Sequence, residues 1–523
     1  MTDIQHKSSA AGSAPGNTPV LIGCGQLTDR RPPQEAASPL ELMSEAARRA
    51  AADAGPGDAL LQCLDRVVAI GMTVDSPETG DLGIQGYRNV PLSLCRALGI
   101  APAQTLYGTT GGNTPQMLVN RHAEQIARGA CSAVLLAGAE ALKAMIGRLL
   151  QGLDIDAWQL DAGEDPARDG PERLPANAHE VAHGLQLPAS VYPLFENALR
   201  GKYGLDLEQH RRRMGELFHP FTRVAAANPL AWFPVERSAA ELAEPGDKNR
   251  YVGFPYTKYL NAIIEVNMGA AVIMTSLEKA RELGVPEERM VYLHGCGDAN
   301  ELWHLSERVD YSSSPALRAA GREALAMAGK TIADMDFLDL YSCFPCAVQI
   351  ACDELGIAWN DPRGLTLTGG LPYFGGPGNN YVLHAIAHMM ARLREHPGKF
   401  GLLNANGWFL TKHSVGIYST APPAHPWQRR DPAQYQGEIL EQAHPAFTET
   451  PEGPATVETY TVLNGHQGPE RGIVIGRLAD GTRFIAETPD DSATLQAMMA
   501  RDMLGAAGIA SSREGKNLFV PDA

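Results

Sequence analysis

The sequence predicts an α/β protein: a five-layered α-β-α-β-α core built from two similar halves, followed by a small α+β domain. Three observations carry this. An Ala-rich helix, a short apolar strand, a Gly/Asn-rich turn, a long helix and a further strand occur twice in the same order, over residues 38–137 and 314–404. Both long helices open directly on such a turn, at residues 107–115 and 375–380. Beyond residue 420 the texture changes to prolines and then to short alternating strands with an Asp-Gly hairpin signal. At 523 residues the chain is also too long for one simple core.

Residues 1–17 are polar, rich in Ser, Gly and Ala and without an apolar centre, so they are expected to form a disordered arm rather than a signal peptide or a span. Pro19-Val-Leu-Ile-Gly-Cys-Gly25 reads as the first strand of a half covering residues 18–145. Ser38-Pro39 caps a helix that Gly55-Pro56 ends, and residues 66–70 form the next strand. The turn at 107–115 starts a helix over 116–128, and 133–137 is the strand after it. Residues 146–250 are polar, with an acidic run at 161–172 and a helical section at 191–218, and read as an inserted cover. Residues 251–420 hold the rest of the first half, with a strand at 269–275, and the second half. There Ser314-Pro315 caps a helix, 336–340 is a strand, 381–394 a long helix and 400–404 a strand. Pro422, Pro423, Pro426 and Pro432 mark 421–450 as a linker. Residues 451–523 form the α+β domain, with a strand at 457–462, a hairpin of 472–478 with 483–487, a helix at 492–504 and a strand at 517–520.

A net charge of -16 and a pI near 5.4 argue against a general affinity for nucleic acid or anionic membrane. Eight cysteines scattered over this length are not a disulfide framework, which places the protein in a reducing cytoplasm. Gly23-Cys-Gly-Gln lacks the spacing of a dinucleotide fingerprint, and the Gly-rich turns lack the Gly-Lys-Ser of a phosphate loop.

Candidate chemistry gathers where the strand ending at Leu340 runs into a helix begun by Pro345, with Cys343, Cys346 and Cys352 at the junction. Two readings of Cys343 stand: a thiol activated by the helix N-terminus, or a small hydrophobe packed under the helix. Tyr341 is an acid or base candidate, or a strand-end residue bonded to backbone. His413 follows an Asn/Gly loop and is expected to point into the site. His384 and His388 share a helix face without a third ligand, and Cys343-Phe-Pro-Cys346 has no second cysteine pair, so no metal site is expected. The helix N-termini near Asn113 and Asn379 are expected to face one shared site and favour negative charge there.

Four stretches resemble the thiolase superfamily, nearest its sterol-carrier-protein type and the type-1 thiolase-like relatives. Asn267-Met-Gly-Ala-Ala-Val is similar to the family's Asp-Gly-Ala-Ala strand, and Tyr341-Ser-Cys-Phe344 stands where that type has His-Asp-Cys-Phe. Gly369-Gly-Leu-Pro-Tyr-Phe-Gly-Gly-Pro377 resembles the loop ending Gly-His-Pro, and Asn404-Ala-Asn-Gly407 the Cys-x-Gly loop. The resemblance covers residues 19–420, includes a cover segment at 192–232, and extends in the tail to the extra C-terminal domain of those relatives. It implies an acetyl-CoA acetyltransferase-like acyltransferase, with an acyl-CoA thioester as substrate, coenzyme A entering as part of that substrate and no tightly bound cofactor.

The departures are specific. Thr110, Gly111, Gly112 and Asn113 stand where thiolases carry the acyl-accepting cysteine, Gly376 replaces the Gly-His-Pro histidine, and Asn404 and Asn406 occupy the Cys-x-Gly stretch. Of the family's set only Cys343 remains. The implied site is therefore Cys343, Tyr341 and His413 for catalysis, with Gly112, Asn113, Gly376, Asn379 and Asn406 holding the oxyanion and substrate. A retro-aldol-type carbon–carbon lyase and a CoA-binding protein without catalysis stay open as alternatives, as does assembly into a homodimer or with a partner protein.

Overall fold

The computed structural model describes residues 14–76, 87–155, 158 and 163–522. Its strands are β1 (Pro19–Thr28), β2 (Arg66–Ala69), β3 (Gln104–Tyr107), β4 (Ala133–Ala141), β5 (Tyr251–Gly253), β6 (Tyr256–Thr257), β7 (Asn267–Ser276), β8 (Val291–Asn300), β9 (Phe337–Asp339), β10 (Phe400–Gly407), β11 (Lys412–Ser419), β12 (Gly453–Asn464), β13 (Pro469–Leu478), β14 (Arg483–Glu487), β15 (Ala507–Arg513) and β16 (Lys516–Pro521).

The core sheet runs β3-β2-β4-β7-β1-β8-β11-β10-β9. It is two copies joined edge to edge, because β2-β4-β7-β1 and β9-β10-β11-β8 correspond strand by strand. Each has one parallel pair, made by a helical crossover, then two antiparallel pairs. The copies join where Val20 faces Tyr292 and Leu21 faces Val291. Helix Pro39–Ala54 packs on β1, β7 and β4, and helix Pro315–Ala328 on β8 and β11. Helices Thr114–Ala127 and Tyr381–Glu395 lie between and touch strands of both halves, completing five layers.

The alanines of the outer helices are a packing requirement. A Cβ on Gly23 or Gly25 of β1 would overlap the carbonyls of Ala50 and Ala46, and one on Gly295 or Gly297 of β8 those of Ala324 and Ala320. Gly23-Cys24-Gly25 and Gly295-Cys296-Gly297 are thus one device used twice, bringing a helix backbone down onto a strand.

Several segments pack differently from the sequence expectation. Of the arm expected at 1–17, residues 1–13 lie outside the described residues, whereas the Gly16 carbonyl accepts from the Glu278 N–H and Asn17 donates to the Ala127 carbonyl. Residues 161 and 162 of the acidic run also lie outside them. The expected linker carries helix Pro432–Leu440 and is anchored in the core: Trp427 donates to the Leu293 carbonyl, and Arg429 pairs with Asp298 at 2.6 Å and Glu124 at 2.9 Å. The cover helices Pro188–Tyr203 and Leu207–Ala227 are locked by buried Glu196, whose carboxylate accepts from Tyr256 and Gln349 and lies 2.5 Å from His210 Nε2. Among the described residues no helix is long and apolar enough to cross a membrane.

The tail is more ordered than a loose α+β unit. β12 pairs with both β13 and β15, so β12-β13-β14-β16-β15 close into a five-stranded barrel with β14 and β16 parallel and helix Ser492–Ala500 between β14 and β15. That is the strand order of the oligonucleotide- and oligosaccharide-binding barrel. β5 and β6, from the end of the cover, extend its sheet beyond β12.

Arg429→Met removes the cation from between two carboxylates. The expected loss is about 3 kcal/mol of unfolding free energy, read from the urea midpoint at constant slope.

Candidate active site

The two Gly/Asn turns meet as the duplicated pattern predicts. The Gly111 N–H donates to Asn379 Oδ1 at 2.9 Å, and Asn379 Nδ2 donates to the Gly71 carbonyl at 2.8 Å. Both ends of this amide are engaged, so Asn379 staples the turns together and is not a free substrate ligand.

Below the staple, β9 runs out at Asp339 and the chain passes through Tyr341 and Cys343 into helix Pro345–Leu355, while β10 brings Asn404 and Asn406 alongside. Asn404 Oδ1 accepts from the Tyr341 N–H at 2.9 Å, fixing the approach. Asn406 Nδ2 donates to the Tyr192 hydroxyl at 2.9 Å and lies 3.9 Å from Cys343 Sγ. Tyr192, from the cover, stacks on Phe344 and donates to the Trp408 carbonyl.

Cys343 does sit at the helix N-terminus, yet burial pushes its thiol up to about 12. The neighbouring Tyr192 hydroxyl, Phe344 N–H and Asn406 amide pull the other way and offset only part of this. Desolvation outweighs the helix end, against the activated-thiol expectation. Burial, with a smaller contribution from Cys343, also raises the Tyr341 hydroxyl well above its ordinary value. At neutral pH both side chains are proton donors.

The decisive contact lies opposite. A Cβ on Gly112 would overlap the Tyr341 hydroxyl and the Asn406 carbonyl. The turn that opens helix Thr114–Ala127 therefore carries no nucleophile at this position and leaves no room for one. Around it several polar groups lack a hydrogen-bond partner among the described residues: the N–H groups of Gly112 and Asn113, the Tyr341 hydroxyl and Asn406 Oδ1.

Two further candidates are placed elsewhere. The Gly376 N–H donates to the Ile263 carbonyl at 2.8 Å and is not an available oxyanion donor. His413 faces away from the cluster, with Nε2 3.1 Å from Ser314 Oγ and 3.1 Å from the Leu410 carbonyl, and burial lowers its pKa to about 3. Its strand neighbours point the other way: Ser414 Oγ accepts from Asn113 Nδ2 at 3.2 Å, and Lys412 donates to the Thr110 carbonyl. Strand alternation around residue 413 is the signal that would have found Lys412 and Ser414. Glu140 is a further group the sequence did not single out. Its carboxyl accepts from the Thr73 N–H and hydroxyl against Gly378, next to the stapling Asn379, and burial raises it to about 7. His384 and His388 bond to Gln26 and Asn228, and no group of His, Cys, Asp and Glu among the described residues is arranged to hold a metal.

Residues 434–514 match the model of the thiolase-like protein type 1 additional C-terminal domain, and residues 297–376 the thiolase C-terminal domain-like model. The chain is similar to a monomeric SCP2-thiolase like protein type 1 from Mycobacterium smegmatis, at 38% identity and a TM-score of 0.82, over 97% of this chain and 99% of that one. The Ltp2-ChsH2(DUF35) aldolase shares the fold at 20% identity and a TM-score of 0.53, over 78% of this chain and 98% of that one. The acetyl-CoA acetyltransferase of Syntrophomonas wolfei does so at 16% and 0.53, over 77% and 98%. No curated protein matches the chain in sequence.

Gly112→Ala is expected to cost about 2 kcal/mol by overpacking, and adding Tyr341→Phe to recover part of that, a non-additivity that denaturant unfolding of the four variants measures. In iodoacetamide labelling, exposed Cys63 should react before Cys343. The Cys343 rate should climb about tenfold per pH unit from pH 7 to 9, because its thiolate is a small fraction throughout that window. Peptide mapping reads both.

Proposed function

Since the chain belongs to the SCP2-thiolase-like proteins of type 1, we propose that it binds acyl-CoA thioesters and acts on them without a cysteine-bound acyl group. The observation that carries this reading is the group of donors without a partner around Gly112. A thioester carbonyl accepts two or three hydrogen bonds and gains negative charge when its α-carbon becomes an enolate. The Gly112 and Asn113 N–H groups stand at the N-terminus of helix Thr114–Ala127, whose dipole favours that charge. The Tyr341 hydroxyl, held neutral by burial, is the third donor. Coenzyme A would lie between the cover and the two turns, with its acyl carbon at Gly112. Such a centre favours making or breaking a carbon–carbon bond beside the thioester over transfer of an acyl group through a thiol.

A second reading, thioester binding without turnover, is favoured by one observation: Cys343 and Tyr341 both keep their protons at neutral pH, so neither is a ready base. One experiment separates the two. Calorimetry with coenzyme A and a panel of acyl-CoAs should show binding, weakened about tenfold by Tyr341→Phe, the loss of one hydrogen bond to a charged acceptor. Intact mass after incubation should show an unmodified chain, and chromatography of the mixture shows whether the acyl-CoA is cleaved. Absence of binding at millimolar concentration, or a stable acyl adduct, would sink the proposal. Binding with the acyl-CoA returned intact selects the second reading.

A further inference from the structure

We infer that the tail barrel is a brace for this centre, in which Arg483 and Arg308 act as positioning residues that hold the loop after Asn406 in place. The loop, residues 408–411, joins β10 to β11 and lies directly beyond Asn406 and Gly407. Trp408 and Leu410 have φ of 56° and 53°, left-handed values that side chains disfavour, so the surroundings must impose them. Every carbonyl in the stretch is taken. That of Gly407 accepts from the Thr411 N–H, that of Trp408 from Tyr192, and those of Phe409 and Leu410 from Arg308, which also donates to the Thr411 hydroxyl; that of Thr411 accepts from the Glu301 N–H. Arg308 is only 3% exposed and gathers three of these bonds by itself.

Arg308 is held in turn by the barrel. Arg483 of β14, without solvent exposure, donates to the carbonyls of Arg308 and Val309 and is paired through two bonds to Glu458 of β12, which Arg477 of β13 also grips. A second arm reaches the same point through the cover. Thr459 donates to the Leu194 carbonyl, the Tyr460 carbonyl accepts from Asn197, and Asp502 pairs with Arg200, all on the helix that carries Tyr192. The Tyr192 hydroxyl, bonded to the Trp408 carbonyl and to Asn406, joins the two arms above Cys343. In barrels of this strand order the outer face of the second and third strands is the usual ligand face. Here Ile473, Ile475 and Ile485 on β13 and β14 are buried in the main core, so that face is used to grip the body of the protein.

The readouts need no acyl-CoA, so this inference stands or falls apart from the proposed function. In the full chain, Arg483→Lys and Arg308→Lys should each speed amide hydrogen exchange over residues 406–412, and alkylation of Cys343, by about tenfold while leaving β1 and β7 unchanged. The double variant should be no faster than Arg308→Lys alone, because both act through one path. Glu458→Gln, which keeps Arg483 in place, should give about threefold and carries the test if Arg483→Lys does not fold. Asp491→Ala removes the cap of helix Ser492–Ala500, loosening the barrel off the path, and should change neither rate. Unchanged rates in Arg483→Lys or, where that variant does not fold, in Glu458→Gln, multiplying effects in the double variant, or equal acceleration by Asp491→Ala would overturn the inference.

Discussion

The Tyr341 hydroxyl resting against the Cα of Gly112 sets what the centre of this molecule can do. The contact needs a glycine, since any side chain there would meet the phenol and the Asn406 carbonyl together. It also needs a tyrosine whose backbone is held, as Asn404 holds it. The bare glycine and the presence of Tyr341 are therefore one arrangement, and placing a cysteine at position 112 alone would replace a packed contact with a clash. The same burial that seats the phenol removes water from Cys343. The thiol rises to about 12 at a helix end that in a wetter setting would favour the thiolate.

The duplication explains which features belong to the site and which to the fold. Each central helix begins on an asparagine whose side-chain carbonyl presses on a glycine of the other half, Asn113 on Gly407 and Asn380 on Gly138, and in both that oxygen lacks a hydrogen-bond partner among the described residues. An unpaired Asn113 Oδ1 is thus a property of the repeat. The departures from symmetry lie elsewhere: Asn379 bridges Gly111 to Gly71, and Tyr341 fills the space at Gly112.

Much of this architecture could be read from the chain. Ser38-Pro39 and Ser314-Pro315 cap helices by local chemistry, and the Asp-Gly turn between β13 and β14 specifies a hairpin over neighbouring residues. The core's two halves followed from the order of such local signals. What stayed hidden depends on contacts distant in sequence. Whether His413 or Lys412 faces the centre is decided by the pairing of β11 with β10 and β8, and a shift of one residue would exchange them. The N–H of Gly376 is taken by the carbonyl of Ile263, more than a hundred residues away, a pairing no local pattern encodes. The activation of Cys343 turned on the balance of a helix end against desolvation, and burial is not written in the residues around a cysteine. The repeated Gly-Cys-Gly was visible as letters, but its reason, a helix backbone lying on a strand, is tertiary.

A buried N–H without a partner costs about 1–3 kcal/mol, and the N–H groups of Gly112 and Asn113 have none among the described residues. Such a group persists only if the surrounding structure holds the backbone where local relaxation cannot quench it. The holding elements are on view. Asn379 fixes the turn from one side, Asn404 fixes Tyr341 from another, and Arg308 fixes the loop beyond Asn406. The first two come from the duplicated core itself, while Arg308 sits in the segment that the barrel grips. Asn379, Asn404 and Arg308 thus fix three sides of the centre, and on the proposed reading a carbonyl whose negative charge grows as it reacts gains most from donors that are already in place.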